Sequence, residues 1–203
     1  MNGRLSLKYK GNRDYLHGTD LFDHICQHMV TQFKRTELSQ VDMTIYRMMR
    51  SQLTFELFTD RKPTKPIAVA AQFRFVVDRT QYTCLLQEDG RAVSGRYPYD
   101  EEQVKDLCIL NNEEQAVTLV ERIPHTNIET VVAMNKVLLK KCFPEVEGKW
   151  LFTRISLAAY DMREQWDGLS LKVLHNFQQR SVRSEIRNNG TLKGSIFFSA
   201  RRN

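Results

Sequence analysis

The sequence predicts an α+β fold made of two halves with the same element order: a strand, a loop, one long helix, then antiparallel strands. Three observations predict it. Loops ending in a histidine and a helix-capping residue recur at His17 and His125, an offset of 108 residues. Each is followed by an apolar run of helical length, Leu21 to Phe33 and Ile128 to Cys142. Behind each run come segments alternating apolar and polar residues, punctuated by turn residues. Residue identity between the halves is poor, so the repeat is one of order.

Leu5, Leu7 and Tyr9 alternate with Ser6 and Lys8, so Arg4–Tyr9 reads as a half-buried strand that Lys10-Gly11-Asn12 ends. Leu21, Phe22, Ile25, Cys26, Met29, Val30 and Phe33 form one stripe at helical spacing. Thr19 or Asp20 is the expected N-cap and Lys34-Arg35 the stop, which predicts a helix over Asp20–Lys34. Val41 to Leu57 alternates throughout and reads as one long, bent strand, although Tyr46–Gln52 also fits a helix. Arg61–Pro66 reads as a turn. Ile67–Val77 and Tyr82–Gln87 read as strands joined tightly at Asp78-Arg79-Thr80, with Glu88-Asp89-Gly90 closing the series.

In the second half, Ala116–Ile123 reads as a strand and Thr126–Cys142 as a helix. Trp150–Tyr160, Leu169–Phe177 and Leu192–Ala200 read as strands, with a hairpin turn at Asn188-Asn189-Gly190. Val104–Leu110 fits a short helix or strand. The expected organisation is a first unit over 1–90, a connector over 91–112 and a second unit over 113–203.

A chain of 203 residues, 41% hydrophobic, can bury one large core or two small ones. No apolar stretch approaches the ~18 residues of a membrane span, and Met1-Asn2-Gly3-Arg4 lacks the layout of a signal peptide. The expectation is a soluble cytoplasmic protein. Cys26, Cys84, Cys108 and Cys142 show no CxxC spacing and read as core residues, so no zinc site is expected. The net charge of +6 is scattered along the chain rather than gathered into a stripe, which argues against a nucleic-acid footprint.

The order of elements, together with Tyr15-Leu16-His17-Gly18-Thr19-Asp20 ahead of the first helix, resembles the hot-dog fold. The resemblance implies two tandem hot-dog-like units, each a curved antiparallel sheet wrapped around one long helix. Members of that family are mostly acyl-thioester dehydratases, hydratases and thioesterases, and some relatives are non-catalytic acyl-CoA sensors. In the dehydratase branch a Gly-His-Phe-Pro loop supplies the base; His17 occupies the corresponding loop here, without the Phe-Pro. The resemblance thus implies an acyl-thioester enzyme, dehydratase- or thioesterase-like, acting on acyl-CoA or an acyl carrier protein. Its alternative is a non-catalytic sensor, scaffold or partner subunit, and either form allows a homodimer.

His17 is the candidate base, because imidazole titrates near working pH. Asp20 and Asp23 are the candidate carboxylates, Gly18 permits close backbone approach, and Arg13 and then Lys10 are the candidate phosphate contacts at a pocket mouth. No cofactor is implied. Asp20, His24 and His28 share a helix face at metal-ligand spacing, but a polar face is the preferred reading, so the expected metal is none. His125, beside Pro124, reads as structural.

Overall fold

The computed structural model describes residues 1–59 and 68–201. The turn expected at Arg61–Pro66 and the strand start at Ile67 lie outside them. The chain divides into two compact units: Met1–Tyr99 with Leu157–Arg163, and Asp100–Ser156 with Glu164–Asn203.

The first unit contains β1 (Asn2–Leu5), β2 (Tyr9–Lys10), α1 (Gly18–Phe33), β3 (Glu37–Ile45), β4 (Ser51–Thr59), β5 (Ala71–Val77), β6 (Thr80–Ala92) and β7 (Arg96–Tyr97). Its main sheet is antiparallel in the order β1-β4-β6-β5-β3, and β2 pairs with β7 in parallel. The strand expected over Arg4–Tyr9 is interrupted. The buried Gln52 side chain takes both backbone groups of Leu7 at 2.8 Å, doing what a neighbouring strand would otherwise do.

Helix α1 buries Leu21, Phe22, Ile25, Cys26, Met29 and Val30. Phe22 meets the edges of Phe73 and Tyr160, with centroids 5.7 and 5.0 Å away. The helix ends at Lys34, in the left-handed region at φ 51°, with the Arg35 N–H returning to the Val30 carbonyl at 3.0 Å.

The long strand expected over Val41–Leu57 is two strands that are not neighbours, β3 and β4. The break, Tyr46-Arg47-Met48-Met49-Arg50, holds no proline or glycine, so no local breaker marks it. What starts β4 is Glu88, whose carboxylate accepts the N–H groups of Arg50 at 2.6 Å and Ser51 at 3.0 Å. Partial burial by itself raises the Glu88 pKa. The two N–H groups, the Arg47 charge and the Ser51 hydroxyl outweigh it and hold the carboxyl below its ordinary 4.5. A lowered folded pKa stabilises above the unfolded value, and the contribution is lost as pH falls through the folded one. Comparing the parent with Glu88→Gln by denaturant unfolding should therefore show a stability gap at pH 7 that shrinks at pH 3. A gap independent of pH would discount the carboxylate's role.

Glu88-Asp89-Gly90 does not close the hairpin series, as the sequence suggested. It lies inside β6, where Gly90 takes φ 77° and the register with β4 slips between Leu53 and Ser51. A glycine in a strand allows such an irregularity as readily as it allows a turn. The β5–β6 connection is Asp78-Arg79, both at positive φ, with Asp78 gripped by Arg35 at 2.6 and 2.8 Å.

The second unit contains α2 (Glu102–Asp106), β8 (Cys108–Asn111), β9 (Ala116–Leu119), α3 (Asn127–Cys142), β10 (Lys149–Asp161, its last five residues counted with the first unit), β11 (Leu169–Phe177), β12 (Ser181–Asn188) and β13 (Thr191–Arg201). Its strands run β10-β13-β12-β11-β9-β8, and the pairs β13-β12, β12-β11, β11-β9 and β9-β8 are antiparallel. Helix α3 begins with a capping box. The Thr126 hydroxyl accepts the Glu129 N–H, and the Glu129 carboxylate accepts the Thr126 N–H. The β12–β13 turn is Asn189-Gly190, at φ 49° and 76°, as its sequence signal predicts.

Helices α1 and α3 are both 16 residues long, with starts (18, 127) and ends (33, 142) both offset by 109.

Candidate functional site

The loop between β2 and α1 is fixed at both ends. Leu16 is buried and its N–H bonds to the Met49 carbonyl at 2.8 Å. On the other side, the Arg96 guanidinium bonds to the carbonyls of Gly11 and of Arg13, the latter at 2.8 Å, while lying over the Tyr9 ring. The pairing of β2 with β7 sets Lys10 opposite Tyr97.

This places seven side chains in one cluster. Lys10 has no exposed surface, and its Nζ donates to Asp20 Oδ1 at 2.9 Å and Thr19 Oγ1 at 3.1 Å. The Tyr97 hydroxyl donates to the other Asp20 oxygen at 2.7 Å. The Lys10 ammonium stands 4.2 Å from the centroid of Tyr99, and the Arg13 guanidinium 5.6 Å from it. His17 is 4% exposed, and its Nδ1 lies 2.7 Å from Thr19 Oγ1.

Thr19 decides where the protons sit. Its oxygen receives Lys10 and lies 3.2 Å from Asp20 Oδ1. Its single proton is best spent on the carboxylate, the charged and therefore stronger acceptor. With that proton on the carboxylate, the geometry suits the tautomer in which His17 Nδ1–H donates to Thr19 and Nε2 holds the lone pair.

The structure thus brings His17, Asp20, Lys10 and Arg13 together and makes Gly18 the first residue of α1. Two sequence expectations change. The N-cap of α1 is His17, with no side-chain cap bond, rather than Thr19 or Asp20; those two side chains are turned to Lys10 instead. Lys10 is not at a pocket mouth, because its charge is wholly buried and spent on Asp20. Asp23, the other candidate carboxylate, is half-buried one turn further along α1, where its charge acts on Cys26.

Burial pushes up the thiol pKa of Cys84, Cys108 (to about 11) and Cys142, and burial with the Asp23 charge raises that of Cys26, so none is activated as a nucleophile. His28 packs its edge on Phe55 at 4.8 Å and His24 is exposed. Among the described residues no group of three or more His, Cys, Asp or Glu is placed to hold a metal, and no helix is long and apolar enough to cross a membrane. In the second unit, His125 Nε2 meets the Asp100 carbonyl at 3.2 Å, a loop contact.

Thr19, Arg96, Tyr97 and Tyr99 were missed as site residues. The basic-aromatic run Arg96-Tyr97-Pro98-Tyr99 was the available signal, although it lay in a segment read as a connector.

Neither a family model nor a curated protein sequence matches the chain. Solved structures do. The dehydratase domain of PpsC from Mycobacterium tuberculosis, in complex with C12:1-CoA, aligns over 98% of this chain and 92% of its own at 8% identity and a TM-score of 0.53. The 12:0-ACP thioesterase from Umbellularia californica aligns over 100% and 97% at 10% identity, with a TM-score of 0.49. An acyl-ACP thioesterase from Bacteroides thetaiotaomicron aligns over 98% and 96% at 10% identity, with a TM-score of 0.48. At such identities likeness speaks of fold alone, and that fold, an antiparallel sheet with a few helices, is the hot-dog fold.

Proposed function

We propose that this chain is a tandem pair of hot-dog units that binds acyl thioesters of coenzyme A or an acyl carrier protein and processes them at His17. The tandem reading is supported by the two helices of equal length at one offset, each the long helix of its own unit. The step from fold to acyl thioesters is one of analogy.

The observation that carries the catalytic reading is the His17–Thr19 contact at the head of α1. It orients the imidazole and keeps its basic nitrogen at Nε2, the form that can take the acidic proton next to a thioester carbonyl. The N–H groups of the first turn of α1 are suited to the oxygen on which charge then develops. Arg13, half-buried against Tyr99, is the remaining candidate for a ligand phosphate.

One observation favours a second reading, a non-catalytic acyl-ligand sensor or scaffold. Asp20, the candidate carboxylate nearest His17 in the sequence, is committed to Lys10 and Tyr97. A panel of saturated, 3-hydroxyacyl and enoyl thioesters on coenzyme A and on an acyl carrier protein separates the two. Release of free thiol or a change in enoyl absorbance supports the enzyme. Binding by calorimetry without turnover supports the sensor, and neither binding nor turnover sinks the proposal.

A further inference from the structure

Helix α3 carries a polar side chain in the middle of its packed face. That face includes Thr130, Val131, Met134, Asn135, Leu138 and Leu139, and Asn135 has no exposed surface. Neither the oxygen nor the nitrogen of its carboxamide has a hydrogen-bond partner among the described residues. The Ser184 hydroxyl of the same unit, wholly buried in the β12 row Val182, Ser184, Ile186, is in the same condition. A buried amide without partners forfeits its hydration and gains nothing in return, so native interiors hold few of them.

Packing does not demand an amide there. At the 109-residue offset the buried face of α1 is Leu21, Phe22, Ile25, Cys26, Met29 and Val30, and the residue matching Asn135 is Cys26, also fully buried. A thiol of that size fills a core position without needing a partner. The second unit accepts the cost of an amide where the first does not.

We infer that Asn135 recognises a secondary amide of the ligand's carrier arm. A carboxamide offers an acceptor oxygen and two N–H donors, matching the N–H and C=O of an amide, whereas a thioester offers acceptors only. The inference rests on the acyl-thioester reading, since coenzyme A and acyl-carrier conjugates share an amide-bearing pantetheine arm. Ser184, which both donates and accepts, serves the same class of group.

The test uses the full chain, S-dodecanoyl-pantetheine and the amide-free thioester S-dodecanoyl-2-mercaptoethanol, with affinities from calorimetry. The parent should bind the pantetheine thioester at least tenfold more tightly, about 1.4 kcal/mol. Asn135→Cys, which supplies the residue α1 uses, should melt a few degrees higher and lose that tenfold preference. Ser184→Ala should lose part of it. Equal affinity of the parent for both probes overturns the inference whether or not the variants fold, and leaves the acyl-thioester reading standing. An Asn135→Cys protein that keeps the preference overturns it too, assigning the amide to a buried water. A parent that binds neither probe, nor any acyl-CoA, removes both readings.

Discussion

His17→Ala is expected to lower turnover of the accepted acyl thioester by about 10²–10⁴-fold, the usual contribution of a positioned base. The imidazole is held at the start of α1 by Thr19, and Thr19 is held by Lys10, so the ring's orientation is set before any ligand arrives. His17→Asn separates chemistry from structure. Its carboxamide can keep a contact with Thr19 but has no basic nitrogen, so it should lose the same factor with an unchanged melting point. His125→Ala should have little effect, because His125 meets a loop carbonyl, that of Asp100, and α3 is already capped by Thr126 and Glu129. Initial rates across the panel, with circular dichroism to confirm folding, check all three. His17→Ala working at the parent's rate would show that the residue is a loop contact and no more.

What could be read from the sequence divides along the range of the interactions. Both long helices were legible, because Leu21–Phe33 and Ile128–Cys142 carry their own periodicity, and for α3 the cap lies within four residues as well. The turns at Asp78-Arg79 and Asn189-Gly190 were legible for the same reason. The division of residues 41–57 into β3 and β4 was not, since it is fixed by Glu88, more than 30 residues away. The separation of β1 from β2 was hidden likewise, because it needs the Gln52 side chain. His17 could be proposed from the sequence because its contact, Thr19, lies two residues away. Lys10 was misread as a surface cation because its partners, Asp20, Tyr97 and Tyr99, lie as far as 89 residues away in the sequence. A lysine's burial cannot be inferred from its own flanks; it follows from what arrives to neutralise it.

That neutralised pair sets the largest stability effect expected in this protein. The Lys10 side chain is 0% exposed and that of Asp20 9%, at 2.9 Å, so neither charge has water to fall back on. Lys10→Met keeps the apolar stem and removes the charge, leaving the Asp20 carboxylate with Tyr97 and Thr19 but no cation. Breaking one side of such a pair costs about 3–5 kcal/mol, mostly the penalty of a stranded buried charge rather than the value of the bridge. The double variant Lys10→Met/Asp20→Leu should therefore recover most of the loss, although it has fewer polar contacts than the single one. Tyr97→Phe removes one hydrogen bond to a charged acceptor and should cost less, about 1.5–3 kcal/mol. Urea unfolding of the four proteins at one pH gives the order parent, then the double variant and Tyr97→Phe, then Lys10→Met. If Lys10→Met loses under about 1 kcal/mol, the typical worth of an exposed pair, the Lys10–Asp20 bridge is solvated rather than buried. The rigid support that Lys10 gives Thr19 and, through it, His17 would then fail with it.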